Sequence, residues 1–264
     1  MSEMELVDVD LGYSNKEKDI LSNISLQIKS EKVAIVGPNG SGKTTIIKAV
    51  FGLAKITHGI IKIMGADTKF TGRTSGVACN LDTVYRLVDL PIKNVIKMYC
   101  SIMEIEQKNV LAHIEKYDLS EILPKKTREL STGQNKAFFD IMAIELGNKL
   151  ALLDEPFENL DARRRLMMIE DLKNFKGSLL INTHDFTALK SLPGWGLYLI
   201  ADGQIYGRFS STDINRLYLT RGEVPAALSV IRSKYGIFSV TLDRGDASLL
   251  SSTDLESSIQ EVIR

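Results

Sequence analysis

Residues 37 to 44 read GPNGSGKT, and this segment restricts the possible folds more than any other part of the chain. It follows KVAIVG (32 to 37), an apolar run typical of a strand buried on both faces, and it precedes TTIIKAVFGL, which suits a helix. The pattern G-x-x-x-x-G-K-[ST] between a strand and a helix is typical of a loop that binds nucleotide phosphates. We therefore predict an α/β core built around this loop.

Each residue type in the loop has a chemical reason to be there. Glycines let backbone N–H groups and the N-terminus of the following helix face an anion. Lys43 supplies a mobile positive charge for the β and γ phosphates, so it is a catalytic candidate as well, and the Thr44 hydroxyl can ligate Mg²⁺. The predicted nucleotide-binding residues of the loop are Gly37, Pro38, Asn39, Gly40, Ser41, Gly42, Lys43, Thr44 and Thr45.

Two carboxylates follow a second buried strand in LALLDEPFENLD (150 to 161). If they stand beside the phosphate loop, Asp154 would hold Mg²⁺ through its hydration shell, and Glu155 would orient or deprotonate the attacking water. His184 follows the buried run SLLINT (178 to 183) and could contact the γ phosphate or that water from the same rim. The alternative for the pair is an ordinary solvated strand end.

The recurrence of buried strand, polar loop and helix predicts a mostly parallel sheet. Residues 4 to 11 and 20 to 28 alternate apolar and polar side chains, which predicts antiparallel strands with one wet face. Between about 85 and 147 the pattern is nearly all helical and indicates a helical subdomain inserted between two strands of the sheet.

The composition shifts toward Ser, Gly and Asp from about residue 211. Apolar residues stay periodic there, so we predict a small α+β appendage rather than disorder. It would contain a short helix near 225 to 232, a strand at 237 to 242 and a last amphipathic helix, LESSIQEVI.

Charge and hydropathy exclude several classes of function. The 264 residues carry a formal net charge of zero, which argues against a nucleic-acid partner. The acidic start MSEMELVDVD is unlike a signal peptide, and no apolar run approaches the roughly 20 residues of a membrane helix, so we expect a soluble protein attached to a membrane only through a partner. Cys79 and Cys100 are too few for a disulfide framework or a metal site.

The stretch LSTGQNKAFF (130 to 139) supports two interpretations. Ser131 can cap a helix, with Gln134 completing a capping box. The same stretch could sense a phosphate that belongs to a second protein molecule. The residues by themselves leave both open.

Taken in order, the motifs resemble those of the ATP-binding cassette (ABC) ATPases from about residue 4 to 210. They are an aromatic residue in DLGYSNKEKDIL, GPNGSGKTT, a helical insert, LSTGQ, LALLDEP, ENLD and THD. The resemblance implies a P-loop NTPase core with an N-terminal antiparallel β-subdomain and an inserted helical subdomain at residues 1 to 210, followed by a C-terminal extension at 211 to 264.

The resemblance also implies roles for single residues. Tyr13 would stack on adenine, and Ser131, Gly133 and Gln134 of the signature LSTGQ would cover the γ phosphate held by another subunit. The implied active unit is a head-to-tail dimer that encloses two ATP molecules. The second ATPase subunit is either another copy of this chain or a different chain.

Two positions depart from the family pattern, and the first is Thr132, which stands where the family signature LSGGQ has its first Gly. The family usually has Gln after the strand that precedes the helical insert, where it reaches Mg²⁺; here Asn80 stands at that position and is shorter by one methylene, about 1.5 Å. We keep Asn80 as a predicted metal ligand. The turn from Asp82 to Asp89 would form part of the groove that receives a helix of the membrane partner.

The function implied is a transport ATPase subunit on the cytoplasmic face of the cell membrane, bound there by an integral membrane partner. The C-terminal segment resembles that of bacterial and archaeal drug and polysaccharide exporters, so we expect an exporter. The alternative is a soluble ABC ATPase, such as one that acts in iron–sulfur cluster assembly. His58 and His113 have no evident partners in the sequence and are expected on the surface.

Overall fold

The computed structural model describes residues 2–13, 19–68, 75–85, 89–249 and 255–263. The strands are β1 (Met4–Gly12), β2 (Leu21–Ile28), β3 (Lys32–Val36), β4 (Lys55–Ile63), β5 (Ala66–Asp67), β6 (Val77–Cys79), β7 (Leu150–Asp154), β8 (Ser178–Thr183), β9 (Gly196–Ala201), β10 (Gln204–Ser210), β11 (Leu217–Arg221), β12 (Ser229–Ser233), β13 (Gly236–Leu242) and β14 (Ala247–Ser248). The helices are α1 (Lys43–Val50), α2 (Asp82–Tyr85), α3 (Ile92–Met103), α4 (Gln107–Lys116), α5 (Thr132–Leu146), α6 (Ala162–Asn174), α7 (Phe186–Leu189) and α8 (Leu255–Ile263).

The chain forms two compact units. The first combines Met1–Thr71 with Asn182–Arg264, and the second is Gly72–Ile181. The boundary predicted at residue 210 therefore falls inside the first unit, and a separate C-terminal domain stays a prediction. The second unit contains the predicted helical insert together with neighbouring strands.

The N-terminal part of the first unit is an antiparallel sheet with strand order β2-β1-β4-β5. Met4, Leu6 and Val9 of β1 are at most 2% exposed, and residues between them face outward. The alternation predicted for the first two strands is confirmed, because it gives the sheet one buried face and one wet face.

The phosphate loop of the first unit leaves a strand that is buried on both faces. Residues Val33 to Val36 of β3 are fully buried. β3 pairs in parallel with β9, which in turn pairs antiparallel with β10. The predicted buried strand and the mainly parallel core around it are therefore confirmed.

The C-terminal segment of the first unit is a second antiparallel sheet, ordered β12-β13-β11-β14, against which α8 packs. The strand predicted at 237 to 242 and the last helix are confirmed as β13 and α8. The short helix predicted near 225 to 232 is wrong. Pro225 lies in a turn closed by the Ala227 N–H and the Val224 carbonyl, and β12 pairs with β13 through Ile231 and Phe238. Cross-strand pairing overrides the local apolar spacing there.

The second unit has helices packed on parallel strands. β6 pairs in parallel with β7, and β8 lies on the other side of β7. α5 packs on β6 and β7 and also contacts α3 and α4. The helical character predicted for about 85 to 147 is confirmed by α3, α4 and α5. In the described ranges, no helix has the length and hydropathy needed to cross a membrane.

Candidate functional site

The phosphate loop has the backbone expected of an anion cradle. Gly40 and Gly42 have φ of 79° and 99°, which side chains of L-residues rarely adopt, and α1 begins directly after Gly42. A Cβ on Gly42 would also lie 2.6 Å from the Leu21 side chain. The loop therefore requires glycine at this position for two reasons, and it presents a helix N-terminus as the sequence predicts.

Lys43 is held inside the loop that it is predicted to serve. Its side chain is buried, and Nζ donates to the carbonyls of Gly37 at 2.7 Å and Pro38 at 3.0 Å. These contacts place the ammonium group over the loop backbone, where a phosphate group would meet both the charge and the N–H groups.

The end of β8 braces the loop through a residue that sequence reasoning missed. The buried Asn182 donates from Nδ2 to the Lys43 carbonyl at 2.7 Å, and the Gly37 N–H donates to the Thr183 carbonyl at 3.3 Å. His184 follows directly and is half-buried between β8 and α7. The structure thus brings the His184 segment and the phosphate loop together within the first unit. A polar amide inside the apolar run SLLINT was the available signal for Asn182.

Tyr13 lies just beyond β1 and is 51% exposed. Its hydroxyl accepts a hydrogen bond from Lys48 Nζ at 3.2 Å, and that ammonium lies 5.4 Å from the ring centre. The contact with α1 fixes the ring near the helix that the loop starts, and the exposed ring area is available for stacking on a base.

The C-terminal segment and the phosphate loop line the same cavity. A cavity of about 830 Å³ in the first unit is lined by residues 38 to 41 of the loop, the turn at 202 to 204, the hairpin at 232 to 235 and side chains of α8. The extension is therefore placed where it can touch the nucleotide-binding loop of its own chain.

The predicted carboxylates lie in the second unit, at the carboxyl end of β7. Asp154 is the last residue of that strand, and Glu155 has a left-handed backbone with φ of 45°. This conformation is unfavourable for a residue with a side chain and is typical of functional turns.

Asn80 is used to hold the main chain of Asp154. Its Oδ1 accepts from the Asp154 N–H at 2.7 Å, and its Nδ2 donates to the Asp154 carbonyl at 2.9 Å and to Asp140 Oδ1 at 2.5 Å. The amide is buried and engaged at both ends. Its role as a metal ligand stays a prediction, while the structure gives it this positioning contact.

Lys136 and Asp140, one turn apart on α5, join the same cluster and were missed from the sequence. Lys136 Nζ donates to Asp140 Oδ1 at 2.9 Å and to the Asp154 carbonyl at 2.6 Å. Burial raises the pKa of the Asp140 carboxyl to about 6, although the Lys136 charge and the hydrogen bond from Asn80 oppose the shift. An Asp within the apolar run AFFDIMAI was the signal that could have marked it.

The signature segment begins α5 as a capped helix. The Ser131 hydroxyl accepts from the Gln134 N–H at 3.2 Å, and the Gln134 carboxamide accepts from the Ser131 N–H at 3.1 Å. The predicted capping box is therefore confirmed in a single chain. A Cβ on Gly133 would come within 2.9 Å of the Asn159 carbonyl, so the signature and the ENLD loop are in close contact.

The predicted partner-binding turn is described only at its two ends. Residues 86 to 88 lie outside the described residues, α2 covers the start, and Asp89 at the other end accepts from Lys126 Nζ at 2.9 Å.

The expectation of a surface position for His113 is wrong. Its Nδ1 lies 2.8 Å from Glu145 Oε1 on α5, and its Nε2 lies 2.8 Å from Asp171 Oδ2 on α6. Burial acts to lower the pKa of His113, but the hydrogen bonds and charges of Asp171 and Glu145 outweigh it and raise the pKa to about 9. The partners lie on other helices, so nothing adjacent in sequence reveals them. His58 is exposed on β4, as expected.

The site residues thus fall into two groups, each described within its own unit. The first unit holds Tyr13, the loop from Gly37 to Thr45, and His184. The second holds Asn80, the signature at Ser131 to Gln134, and the pair Asp154 and Glu155.

The chain is similar to a protein family and to several known proteins. The ABC transporter family model matches residues 21–158, just over half of the chain. The zinc transport system ATP-binding protein TroB of Treponema pallidum is 27% identical over 79% of this chain and 85% of its own length. The spermidine/putrescine import ATP-binding protein PotA of Borrelia garinii subsp. bavariensis is 30% identical over 69% of this chain and 55% of its own length.

Among solved structures, a protein described as a cobalt transport ATP-binding protein (cbiO-2) aligns with a TM-score of 0.88 and 27% identity. The alignment covers 98% of this chain and 99% of that protein. The similarity therefore includes the C-terminal segment beyond residue 210.

Proposed function

The chain belongs to the ABC transporter family as an ATP-binding and ATP-hydrolysing subunit, and we propose that it drives a separate membrane-spanning partner through ATP-dependent pairing of two ATPase subunits. The observation that carries the proposal is the phosphate loop, with Lys43 buried over the carbonyls of Gly37 and Pro38 and two glycines at positive φ. Such a loop is built for the phosphates of a nucleotide.

The remaining residues receive the roles that their chemistry supports. Lys43 binds the transferred phosphate, Glu155 orients or deprotonates the attacking water, and His184 acts on the same phosphate or water. Tyr13 stacks on adenine.

Mg²⁺ fits the available donors, because the Thr44 hydroxyl and the Asp154 carboxylate are the hard oxygen ligands that this ion prefers. When bound, Mg²⁺ would neutralise charge that develops on the phosphates.

The signature segment would complete the site of a second subunit. Ser131 and the N-terminus of α5 offer a hydroxyl, N–H groups and a helix dipole to a phosphate, and the partner is another copy of this chain or a different ATPase. The start of α5 is already formed in the single chain, and the Ser131 hydroxyl, which accepts from the Gln134 N–H there, keeps its own proton to donate to an anion.

Glu155→Gln tests the proposed chemistry. We expect ATP binding to persist and steady hydrolysis to fall on the order of 100-fold or more, because the amide cannot accept a proton. In the presence of ATP, the variant should therefore accumulate as a dimer, which size-exclusion chromatography detects. Unchanged turnover would overturn the assigned role of Glu155, and a nearby Glu158→Gln variant serves as the control.

The direction of transport requires a separate proposal. The prediction of an exporter gains no support from the relatives, since PotA is an import protein and the cobalt protein matches the C-terminal segment as well. We propose that the chain serves uptake of a small cationic solute, on the cytoplasmic face of its membrane.

Co-purification with a tagged chain, followed by reconstitution of the complex in vesicles, tests this assignment. ATP supplied on the side of the ATPase subunits should drive a metal ion such as Zn²⁺ or Co²⁺, or a polyamine, toward that side. Movement away from it would favour an exporter, and recovery of only soluble cluster-assembly proteins would favour the alternative class of ATPase.

A further inference from the structure

The main chain of Asp154 is held by side chains at both of its polar groups. Its N–H donates to Asn80 Oδ1, while its carbonyl accepts from both Asn80 Nδ2 and Lys136 Nζ. Three hydrogen bonds of 2.6 to 2.9 Å to the main chain of Asp154 restrict the backbone that carries the Asp154 and Glu155 side chains.

Asp140 organises the two side chains that make these contacts. Its Oδ1 accepts from Asn80 Nδ2 at 2.5 Å and from Lys136 Nζ at 2.9 Å, so one carboxylate oxygen orients both donors. Asp140 is completely buried, and its Oδ2 has no hydrogen-bond partner among the described residues.

A buried carboxylate with one unsatisfied oxygen lowers the stability of the folded state. A well-packed apolar pair of similar volume is often as stable as a buried ion pair or more so. The flanking residues of α5, Phe139 and Ile141, are also fully or almost fully buried, so an apolar residue at position 140 would suit the helix. The charged pair is therefore poorly explained by stability.

The cluster also lies on the helix that starts with the signature. Lys136 and Asp140 follow Ser131 and Gly133 within the first turns of α5. The same rigid element thus carries the residues predicted to contact the second subunit and the residues that grip Asp154.

We propose that Lys136 and Asp140 are positioning residues for ATP hydrolysis: together with Asn80 they fix the main chain of Asp154 and thereby set the direction of the Asp154 and Glu155 carboxylates. The inference rests on the proposed function, because it assigns these residues to the turnover of ATP. It gives them no contact with ATP, so they act on the chemical step and leave nucleotide binding to the phosphate loop.

Two variants of the full chain separate positioning from stability. Lys136→Met removes the ammonium and leaves Asp140 as an uncompensated buried charge, so both kcat and the urea midpoint of unfolding should fall. Lys136→Met combined with Asp140→Asn removes that charge and keeps the shape, so the midpoint should recover. We expect kcat of the double variant to remain roughly tenfold below that of the wild type, because misplacement of a reacting group is costly. KM for ATP should stay within about threefold of the wild-type value.

The controls decide between the interpretations. Lys108→Met removes an exposed ion pair with Glu106 and should change neither property. Lys136→Arg keeps a donor for both acceptors and should retain more activity than Lys136→Met. Recovery of kcat together with stability in the double variant would overturn the positioning role and leave the proposed function intact. A wild-type chain that neither binds nor hydrolyses ATP would overturn the proposed function and this inference with it.

Discussion

Lys43 and Lys136 both donate to main-chain carbonyls, but their contacts span very different lengths of chain. Lys43 binds carbonyls six and five residues away, inside one continuous motif. Lys136 binds the carbonyl of Asp154, which is 18 residues away. Lys136 and Asn80 both bind Asp140, and Asn80 is 60 residues from Asp140 in the sequence. The loop therefore holds its lysine by local geometry, whereas the end of β7 depends on packing between distant elements.

This difference leads to two expectations. Substitution of the Lys43 side chain should change nucleotide binding with little effect on folding stability. Substitutions among the polar clusters of the second unit should change folding stability, and they should change turnover only where the cluster touches the backbone of a reacting residue.

The strongest test of this contrast is Lys43→Ala. Loss of the charge that faces the phosphates should weaken ATP binding and lower hydrolysis on the order of 100-fold or more. Because the lost contacts are confined to the loop, the free energy of unfolding should change by about 1 kcal/mol or less. Calorimetric titration with ATP and urea unfolding measure the two effects, with the exposed Lys29→Ala as the control. A large loss of stability would show that the loop is not locally held.

The His113 cluster provides the opposite case, in which stability should change and activity should not. Its folded-state pKa of about 9 exceeds the ordinary value of about 6.5. The stabilisation is therefore fully present below about pH 6.5 and is lost as pH rises through about 9. We expect His113→Gln to cost roughly 2 to 3 kcal/mol at pH 6.5, because it removes the imidazolium that lies between Glu145 and Asp171. Asp171 keeps its ion pair with Lys116 in the variant.

Urea unfolding of the wild type and of His113→Gln from pH 6 to 10 checks this prediction. The difference in free energy of unfolding should shrink as pH approaches 10, and His58→Gln, on an exposed histidine, should show no such trend. A constant difference across the range would mean that His113 is neutral in the folded chain. A fall in kcat at equal stability would place the cluster in the catalytic machinery.

Local patterns explain which parts of this protein could be predicted from sequence. The apolar run of β3, the glycines of the loop and the Ser131 cap each depend on neighbours within a few residues, so their geometry follows from short-range rules. The same holds for α8, whose apolar positions repeat with helical spacing.

Features that depend on distant partners could not be read in the same way. His113 lies 32 residues from Glu145 and 58 from Asp171, so its burial appears only after α4, α5 and α6 pack. The segment predicted as a helix at 225 to 232 became β12 for a related reason, since pairing with β13 stabilises a strand that its own spacing does not favour.

Asn80→Gln lengthens the side chain by one methylene and tests the contacts between distant elements that hold the end of β7. The longer amide cannot keep all three contacts in the same buried space, so we expect a loss of about 1 to 2 kcal/mol in stability and about tenfold in kcat. ATP binding should be unaffected, and the exposed Asn94→Gln is the matched control. If Asn80 acts chiefly as a metal ligand, the residue usual in the family should instead maintain or raise turnover and lower the Mg²⁺ concentration needed for half-maximal activity.

Ser131→Ala gives the smallest expected effect and tests whether a locally built feature can act at a distance. Loss of the cap should cost about 1 kcal/mol of folding stability, and the same is expected for Ser210→Ala, which removes the cap that the Thr212 N–H uses in the first unit. The two variants should differ in activity. Ser131→Ala alone should lower hydrolysis, by about fivefold, at conditions that allow two subunits to pair, since a lost hydrogen bond to phosphate is worth about 1 kcal/mol. ATP binding by the separate subunit should be unchanged, because the phosphate concerned belongs to the opposite chain. If both variants retain full hydrolysis, Ser131 only caps α5. ATP hydrolysis would then need no contact between this segment and the phosphate.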